Sequence, residues 1–132
     1  MKLLGDQLLS ARYDVVVVGS GAGGLVSALT AVSAGQSVLV LEKSSKLGGT
    51  SAVSAGTIWI PANDGMAENG VGDDIESARE YLAQLVGTGE VIDAFLDHAN
   101  DMLSFLRERT SLELVTSHGY PDYRLGLEGS RY

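Results

Sequence analysis

Residues 13–24 read Tyr13-Asp14-Val15-Val16-Val17-Val18-Gly19-Ser20-Gly21-Ala22-Gly23-Gly24, and this stretch decides the fold. Four consecutive valines are typical of a strand that is buried on both faces of a parallel sheet. The three glycine positions of the dinucleotide-binding fingerprint are filled by Gly19, Gly21 and Gly24. Glycine at these positions permits a tight turn, lets a pyrophosphate approach the backbone, and lets the following helix pack closely on the strand.

A helix and a second strand complete the context that this fingerprint requires. The helix is predicted from Ala22 to about Ala34, with its free N–H groups facing phosphates, and Gly35 tolerates the positive φ at which it ends. The second strand, Ser37–Leu41, leads into Glu42, whose carboxylate can accept hydrogen bonds from ribose hydroxyls and disfavours the 2′-phosphate of NADP. We therefore predict an α/β protein with a Rossmann-like βαβ core over residues 13–43. The alternative is a plain glycine-rich turn in another α/β protein.

Length and composition bound the remaining possibilities. The chain has 132 residues, enough for one domain, and a net charge of −8, which argues against nucleic acid or an anionic membrane surface as partner. It contains no cysteine, so disulfides and a cysteine nucleophile are excluded, and we predict no metal site. The N-terminus is a poor signal peptide, and no run of about 18 apolar residues could form a transmembrane segment. We expect a cytoplasmic protein.

The segment over residues 44–61 is the second informative stretch. Glycines alternate with hydroxyl side chains in Gly48-Gly49-Thr50-Ser51 and Ser54-Ala55-Gly56, which offers donors without bulk to a phosphate, a ribityl chain or a flat ring. A nicotinamide-only domain does not need such a loop, so the segment favours a flavin; an ordinary serine- and glycine-rich surface loop is the alternative. Ile58-Trp59-Ile60 is expected to form a buried strand end, with Trp59 in the core.

Two amphipathic helices are predicted over residues 73–109, after a turn-rich connector at residues 62–72. Asp73 and Glu76 have capping-box spacing at the first helix, and Thr88-Gly89 separates it from a second helix over Glu90–Arg109. Leu112–Val115 is a strand candidate, and the loop from His118 to Tyr123 is rich in groups that donate and accept protons.

These pieces together resemble the N-terminal part of the flavoproteins of the fumarate reductase/succinate dehydrogenase type, and within them the chain is most similar to the 3-ketosteroid Δ1-dehydrogenases. The matching pieces are residues 13–24, Leu41-Glu42-Lys43, Gly48-Gly49-Thr50-Ser51-Ala52, Ser54-Ala55-Gly56, Ile58-Trp59-Ile60-Pro61, Ala78-Arg79-Glu80-Tyr81-Leu82 and Pro121-Asp122-Tyr123. The first three are common to many FAD enzymes. Trp59-Ile60-Pro61 and Pro121-Asp122-Tyr123 point to the steroid enzymes.

The resemblance implies FAD as cofactor, lying extended on the Rossmann-like domain. It places the pyrophosphate at the glycine turn, the adenosine ribose at Glu42, and the flavin end along residues 49–56. The implied cofactor-binding residues are Gly19, Ser20, Gly21, Ala22, Gly23, Gly24, Glu42, Lys43, Gly49, Thr50, Ser51, Ser54, Ala55 and Gly56.

The resemblance also implies a reaction and one catalytic residue. In the family a proton leaves C2 and a hydride leaves C1 of a 3-keto steroid, and the hydride goes to flavin N5. A tyrosine matching Tyr123 lines the substrate pocket and supports a second tyrosine that acts as the base. The alternative is that Tyr123 is a packed loop aromatic.

The chain departs from this family in its length, because family members run to several hundred residues. The second tyrosine and the other half of the flavin site have no counterpart here, so we expect a missing C-terminal half or a second chain to complete the site. Two alternatives stay open: a fumarate- or enoate-reducing flavoprotein, and a non-catalytic fragment that binds FAD or ADP. A short-chain NAD dehydrogenase is disfavoured because the sequence contains no Tyr-x-x-x-Lys pair.

Overall fold

A computed structural model describes residues 11–117 and 119–131 of the chain. The elements are β1 (Val15–Val18), α1 (Ala22–Ser33), β2 (Val38–Leu41), a 3-10 helix (Gly49–Val53), α2 (Asp64–Glu68), α3 (Ile75–Val86) and α4 (Glu90–Arg109). The chain divides into two compact units after Ile58. The N-terminal lead-in up to Ser10 and the predicted loop residue His118 lie outside the described residues.

The first unit is the predicted βαβ arrangement. β1 and β2 pair in parallel, with Val15 opposite Val38 and Val18 opposite Leu41, and α1 forms the crossover between them. At the amino-terminal ends of the two strands, the Asp14 carboxylate accepts hydrogen bonds from the backbone N–H of Ser37 at 2.8 Å and from its hydroxyl at 2.6 Å. The helix ends as predicted, since the N–H of Gly35 (φ +80°) bonds to the carbonyl of Val32 at 2.9 Å. The Rossmann-like prediction is therefore confirmed.

Burial of β1 on both faces is the part of that prediction that is wrong for this chain. Val15 and Val17 are half-buried, whereas Val16 and Val18 are 51% and 83% exposed. Val17 lies on the α1 side of the sheet, because its Cγ1 is 3.4 Å from the position that a Cβ at Gly24 would occupy. The described residues supply a helix to one face of this two-stranded sheet, so alternate valines stay in contact with solvent.

The second unit is built on α3 and α4. Its core contains Ile60, Ala99 and Leu103, with Met102 and Leu114 packed against them. Arg79 of α3 forms an ion pair with Asp93 of α4. Both helices agree closely with the predicted segment 73–109.

The cap of α3 lies one residue after the predicted position. The side chain of Asp74, rather than Asp73, caps the helix, accepting from the Ser77 N–H at 2.8 Å and hydroxyl at 3.0 Å. The carboxylate of Asp73 is only 5% exposed; it accepts from the Ala62 N–H at 2.8 Å and lies 3.2 Å from Nε of Arg131. The sequence pattern is one residue out because either aspartate can cap, and burial decides which one turns inward.

Three further predictions in this unit are corrected. Residues 58–60 and 112–115 are not strands, although Ile60 and Leu114 do reach the core. Residues predicted as a turn form α2, because the Asn63 side chain accepts from the Met66 N–H at 3.2 Å and so caps one helical turn. The same residue types, Asn-Asp-Gly, favour turns and helix caps alike.

Core packing on α4 can be tested with a buried and an exposed residue of the same helix. Leu103 is 6% exposed and Val91 is 85% exposed. Leu103→Ala should lower the free energy of unfolding by about 2–5 kcal/mol, since it leaves a cavity. Val91→Ala should change it by less than about 0.5 kcal/mol. Urea denaturation followed by Trp59 fluorescence measures both, and equal effects would contradict this description of the core.

Candidate functional site

The glycine turn between β1 and α1 brings two backbone segments into unusually close contact. A Cβ at Gly24 would lie 2.3 Å from the carbonyl oxygen of Gly19, so only glycine fits at position 24. Gly19 has φ +99°, and its N–H bonds to the carbonyl of Leu41 at 2.7 Å, which ties the turn to the end of β2. The turn is therefore held between the carboxyl ends of both strands.

The N-terminus of α1 opens onto this turn. Its N-cap residue is Gly21, which has no side chain that could accept from the first-turn N–H groups. The N–H of Ala22 is bonded to Oγ of Ser51 at 3.2 Å. A helix end with glycines and free backbone donors favours an anionic group such as a diphosphate.

The carboxylate of Glu42 joins three segments around the turn. Its Oε2 accepts from the N–H of Ser20 at 3.0 Å and the hydroxyl of Ser20 at 2.6 Å, and its Oε1 accepts from the N–H of Ser44 at 2.9 Å. The hydroxyl of Ser20 in turn accepts from the N–H of Gly48 at 2.9 Å. The hydrogen bond from the Ser20 hydroxyl, followed by the backbone bonds from Ser44 and Ser20, lowers the pKa of Glu42 from 4.5 to about 2. Glu42 is therefore ionised at neutral pH.

Ser20 serves this network and is fully buried. Both its backbone N–H and its hydroxyl donate to Glu42, so its polar groups are directed into the protein. Sequence reasoning placed Ser20 at the cofactor; the structure places its side chain behind the turn, where it orients the carboxylate of Glu42.

The loop that follows β2 returns to the glycine turn, as the sequence predicts. A Cβ at Gly49 would lie 3.5 Å from Cα of Gly21, and the 3-10 helix that begins at Gly49 carries Ser51 to the start of α1. Thr50, Ser54, Ala55 and Gly56 are exposed, as is Lys43. The hydroxyl of Ser54 donates to the Ser51 carbonyl at 2.8 Å and accepts from the Gly56 N–H at 3.1 Å, which orders this exposed stretch.

The second unit carries the predicted catalytic tyrosine on an exposed turn. Tyr123 is 89% exposed. The neighbouring Tyr123 raises the pKa of Tyr120. Trp59 is not the core residue that we predicted; it is 39% exposed, and its Nε1 donates to Asp122 at 2.8 Å. Sequence reasoning named the loop that contains Tyr120 and Asp122 but gave neither residue a role of its own, because their partners lie elsewhere in the fold.

The part of the chain that the structure describes offers neither a membrane span nor a metal site. No helix there is long and apolar enough to cross a membrane. No group of three potential metal-ligating side chains comes together in that same part.

Comparison with known proteins identifies the family. A family model described as "FAD binding domain" matches residues 14–130. The chain belongs to this FAD-binding domain family. Its cofactor is accordingly FAD, and the glycine turn, the N-terminus of α1 and the ionised Glu42 all fit a dinucleotide.

Individual relatives are all much longer than this chain. It is 46% identical over 115 residues to a 3-oxosteroid 1-dehydrogenase of Mycolicibacterium smegmatis, which covers 85% of this chain and 20% of that protein. It is 45% identical over 124 residues to a 4-oxocyclohexanecarboxylate 2-dehydrogenase of Sinomonas cyclohexanicum, and the matched region covers 91% of this chain and 21% of that protein. The crystal structure of the 3-ketosteroid Δ1-dehydrogenase from Sterolibacterium denitrificans, in complex with 1,4-androstadiene-3,17-dione, matches with a TM-score of 0.82 and 42% identity over 90% of this chain and 21% of that one. The chain spans about a fifth of the length of these relatives.

The steric requirement at the turn predicts opposite effects of two neighbouring alanine substitutions. Gly24→Ala should lower the free energy of unfolding by about 1–3 kcal/mol, because its Cβ meets the Gly19 carbonyl. Gly23 has no described atom within 4 Å of its Cβ position, so Gly23→Ala should raise stability by about 0.5–1 kcal/mol. Thermal unfolding monitored by circular dichroism distinguishes the two, and a stabilising Gly24→Ala would contradict the described turn.

The Ser20–Glu42 bond predicts a pH-dependent effect. Because the pKa of folded Glu42 is about 2 against 4.5 in its usual state, its stabilising contribution is complete above about pH 4.5 and is lost as the pH falls towards 2. Ser20→Ala should therefore destabilise the protein more at pH 7 than at pH 2.5. Ser27→Ala removes a hydroxyl that donates to the Gly23 carbonyl on α1, and its effect should not vary over this range. Denaturant unfolding at both pH values provides the measurement.

Proposed function

We propose that this chain is the FAD-binding part of a flavin-dependent dehydrogenase that introduces a C1–C2 double bond into 3-ketosteroids. The observation that carries the proposal is the 46% identity over 115 residues to a 3-oxosteroid 1-dehydrogenase, in a chain that also holds the Glu42-centred dinucleotide cradle. Because this chain spans a fifth of its relatives, the rest of the active site comes from polypeptide beyond these residues, either a continuation of the chain or a second subunit.

Binding and orientation of the dinucleotide are the work of the first unit. The N-terminus of α1 would offset the charge of the diphosphate in a chain whose net charge is −8, and the Glu42 carboxylate would accept from the adenosine ribose. Residues 49–56 would hold the ribityl chain and the ring, with 44–61 as the flavin-contacting loop. Bound FAD supplies the acceptor for the hydride that leaves C1.

Tyr123 is the residue that we propose to line the substrate pocket. The 3-keto group acidifies the C2 proton, so a phenol can take part in removing it when an oxyanion-stabilising donor is close. Tyr123 is 89% exposed, so its phenol is accessible to a base from outside these residues.

A smaller cyclic ketone is the second candidate substrate. The S. cyclohexanicum relative, named for 4-oxocyclohexanecarboxylate, is 45% identical, which nearly equals the identity to the steroid enzyme. Both relatives are named as dehydrogenases of ring ketones. Fumarate or enoate reduction, and FAD or ADP binding without turnover, are weaker candidates. A cytoplasmic location is proposed on composition alone.

Two assays test the function in order. The chain is first incubated with FAD, separated by gel filtration and examined for retained flavin absorption. The completed enzyme, with the remaining polypeptide supplied as a continuation or a second subunit, is then given a 3-keto steroid, 4-oxocyclohexanecarboxylate or fumarate, with a dye or reduced flavin as redox partner. Steroid-dependent dye reduction supports the proposal. Preference for fumarate with reduced flavin contradicts it, and flavin retention without any turnover identifies a binding domain only.

Tyr123→Phe tests the proposed pocket residue in the completed enzyme. Loss of the phenol hydroxyl should lower kcat for the steroid by about tenfold or more, in keeping with acid–base contributions of about 10²–10⁴ for a directly acting group. Tyr13→Phe changes a tyrosine that precedes β1 and should leave kcat unchanged. Unaltered turnover by Tyr123→Phe would remove Tyr123 from the mechanism.

A further inference from the structure

The segment that carries Tyr123 is closed at its base by one aspartate. The backbone N–H of Asp122 donates to the carbonyl of Arg131 at 2.9 Å, and Oδ2 of Asp122 accepts from the N–H of Arg131 at 2.6 Å. Within the closed segment, hydrogen bonds from Leu127 to Arg124 and from Ser130 to Leu127 form consecutive turns. Residues 122–131, here called the tyrosine loop, thus form a compact loop whose ends are joined through Asp122.

The other carboxylate oxygen of Asp122 attaches the tyrosine loop to the helices. Oδ1 accepts from Nε1 of Trp59 at 2.8 Å, a residue 63 positions earlier in the chain. The indole of Trp59 is stacked on Phe95 of α4, with ring centroids 6.0 Å apart, and lies 6.0 Å from the ring of Tyr81 of α3. The Asp122 carboxylate therefore connects the joined ends of the tyrosine loop to the Trp59 ring, which packs beside aromatic rings of both α3 and α4.

Contacts along α3 hold the remainder of the tyrosine loop. The N–H of Arg124 donates to the hydroxyl of Tyr81 at 3.3 Å, and Gln84 exchanges two hydrogen bonds with the backbone of Glu128 at 3.1 and 3.4 Å. A Cβ at Gly129 would lie 2.0 Å from the carbonyl oxygen of Ser77, so the loop backbone rests directly on the helix. The residues on both sides of Tyr123 are held, while its own side chain is 89% exposed.

We infer that Asp122 is a positioning residue, which sets the place of the Tyr123 phenol by accepting at once from Trp59 and from the backbone of Arg131. The inference rests on the proposed role of Tyr123. An ionised carboxylate has acceptors for both donors, whereas an asparagine amide can accept on its oxygen alone and presents N–H groups on its other side. A displacement of about 1 Å at a reacting group can lower a rate by about a hundredfold. The two hydrogen bonds that Asp122 accepts, here called the Asp122 clamp, therefore affect turnover more than substrate binding.

The hydrogen bond from Trp59 to Asp122 can be measured directly, because Trp59 is the only tryptophan of the chain. In Asp122→Ala the indole N–H should lose its partner, so its proton resonance should shift and its hydrogen exchange should accelerate about tenfold or more. Asp64→Asn breaks a different carboxylate contact of the same unit, the 2.7 Å ion pair with Arg107, and should leave the indole signal unchanged. An indole signal that is the same in Asp122→Ala and in the parent chain would overturn the inference.

Positioning is then tested in the completed flavin-loaded enzyme with a 3-keto steroid and a dye acceptor. Asp122→Asn should lower kcat about tenfold and change KM less than about threefold. Trp59→Phe, which keeps a stacked ring and removes the donor, should act in the same direction, so the test does not depend on one variant folding well. Asp64→Asn should leave both constants unchanged.

A double variant separates this inference from the proposed function. If Asp122 acts through Tyr123, then Asp122→Asn combined with Tyr123→Phe should be no slower than Tyr123→Phe alone. Additive losses, or a Tyr123→Phe defect without any defect in Asp122→Asn and Trp59→Phe, would overturn the positioning role and leave the proposed function standing. Normal turnover by Tyr123→Phe would instead overturn the role of Tyr123 and, with it, the inference.

Discussion

The first unit depends on the carboxylate of Glu42. It receives three hydrogen bonds, two from Ser20 in the glycine turn and one from Ser44 in the following loop, and Ser20 extends the network to Gly48. These contacts connect the turn, the end of β2 and the loop at the one edge of the sheet where parallel strands of this kind bind dinucleotides. The charge is held in place by donors from the chain itself, so the cradle forms without a cationic side chain. Its negative charge and the positive end of α1 both lie at the carboxyl-terminal edge of the sheet, suited to the ribose and the diphosphate of one molecule.

Close backbone packing is the second constraint on this edge. Gly24 approaches the carbonyl of Gly19 so closely that any side chain at position 24 would displace α1 from β1. At the N-terminus of α1 the N-cap residue Gly21 carries no side chain, the Ser20 hydroxyl is directed at Glu42, and Oγ of Ser51 accepts from the Ala22 N–H. Space for a diphosphate is thus a direct consequence of the packing that joins helix and strand.

One face of strand β1 remains exposed in this chain. Four valines in succession are typical of a strand with cover on both sides, but Val16 and Val18 remain exposed while Val17 faces α1. The chain spans about a fifth of the length of the relatives compared above. Helical packing in the second unit is more complete, since Ile60, Ala99 and Leu103 form a buried core there.

The sequence by itself determined the βαβ core, the end of α1 at Gly35, the long helix Glu90–Arg109 and the acid at the end of β2. These features follow from local rules: β-branched residues favour strands, glycine allows tight turns, and apolar residues with helical spacing mark helices. Only the tertiary structure decided that Asp74 caps α3 while Asp73 turns inward, and that Ser20 is directed at Glu42. It also decided that Asp122 meets Trp59 across 63 residues. Each of those outcomes depends on which donors surround a carboxylate once distant segments have packed, and no local pattern contains that information.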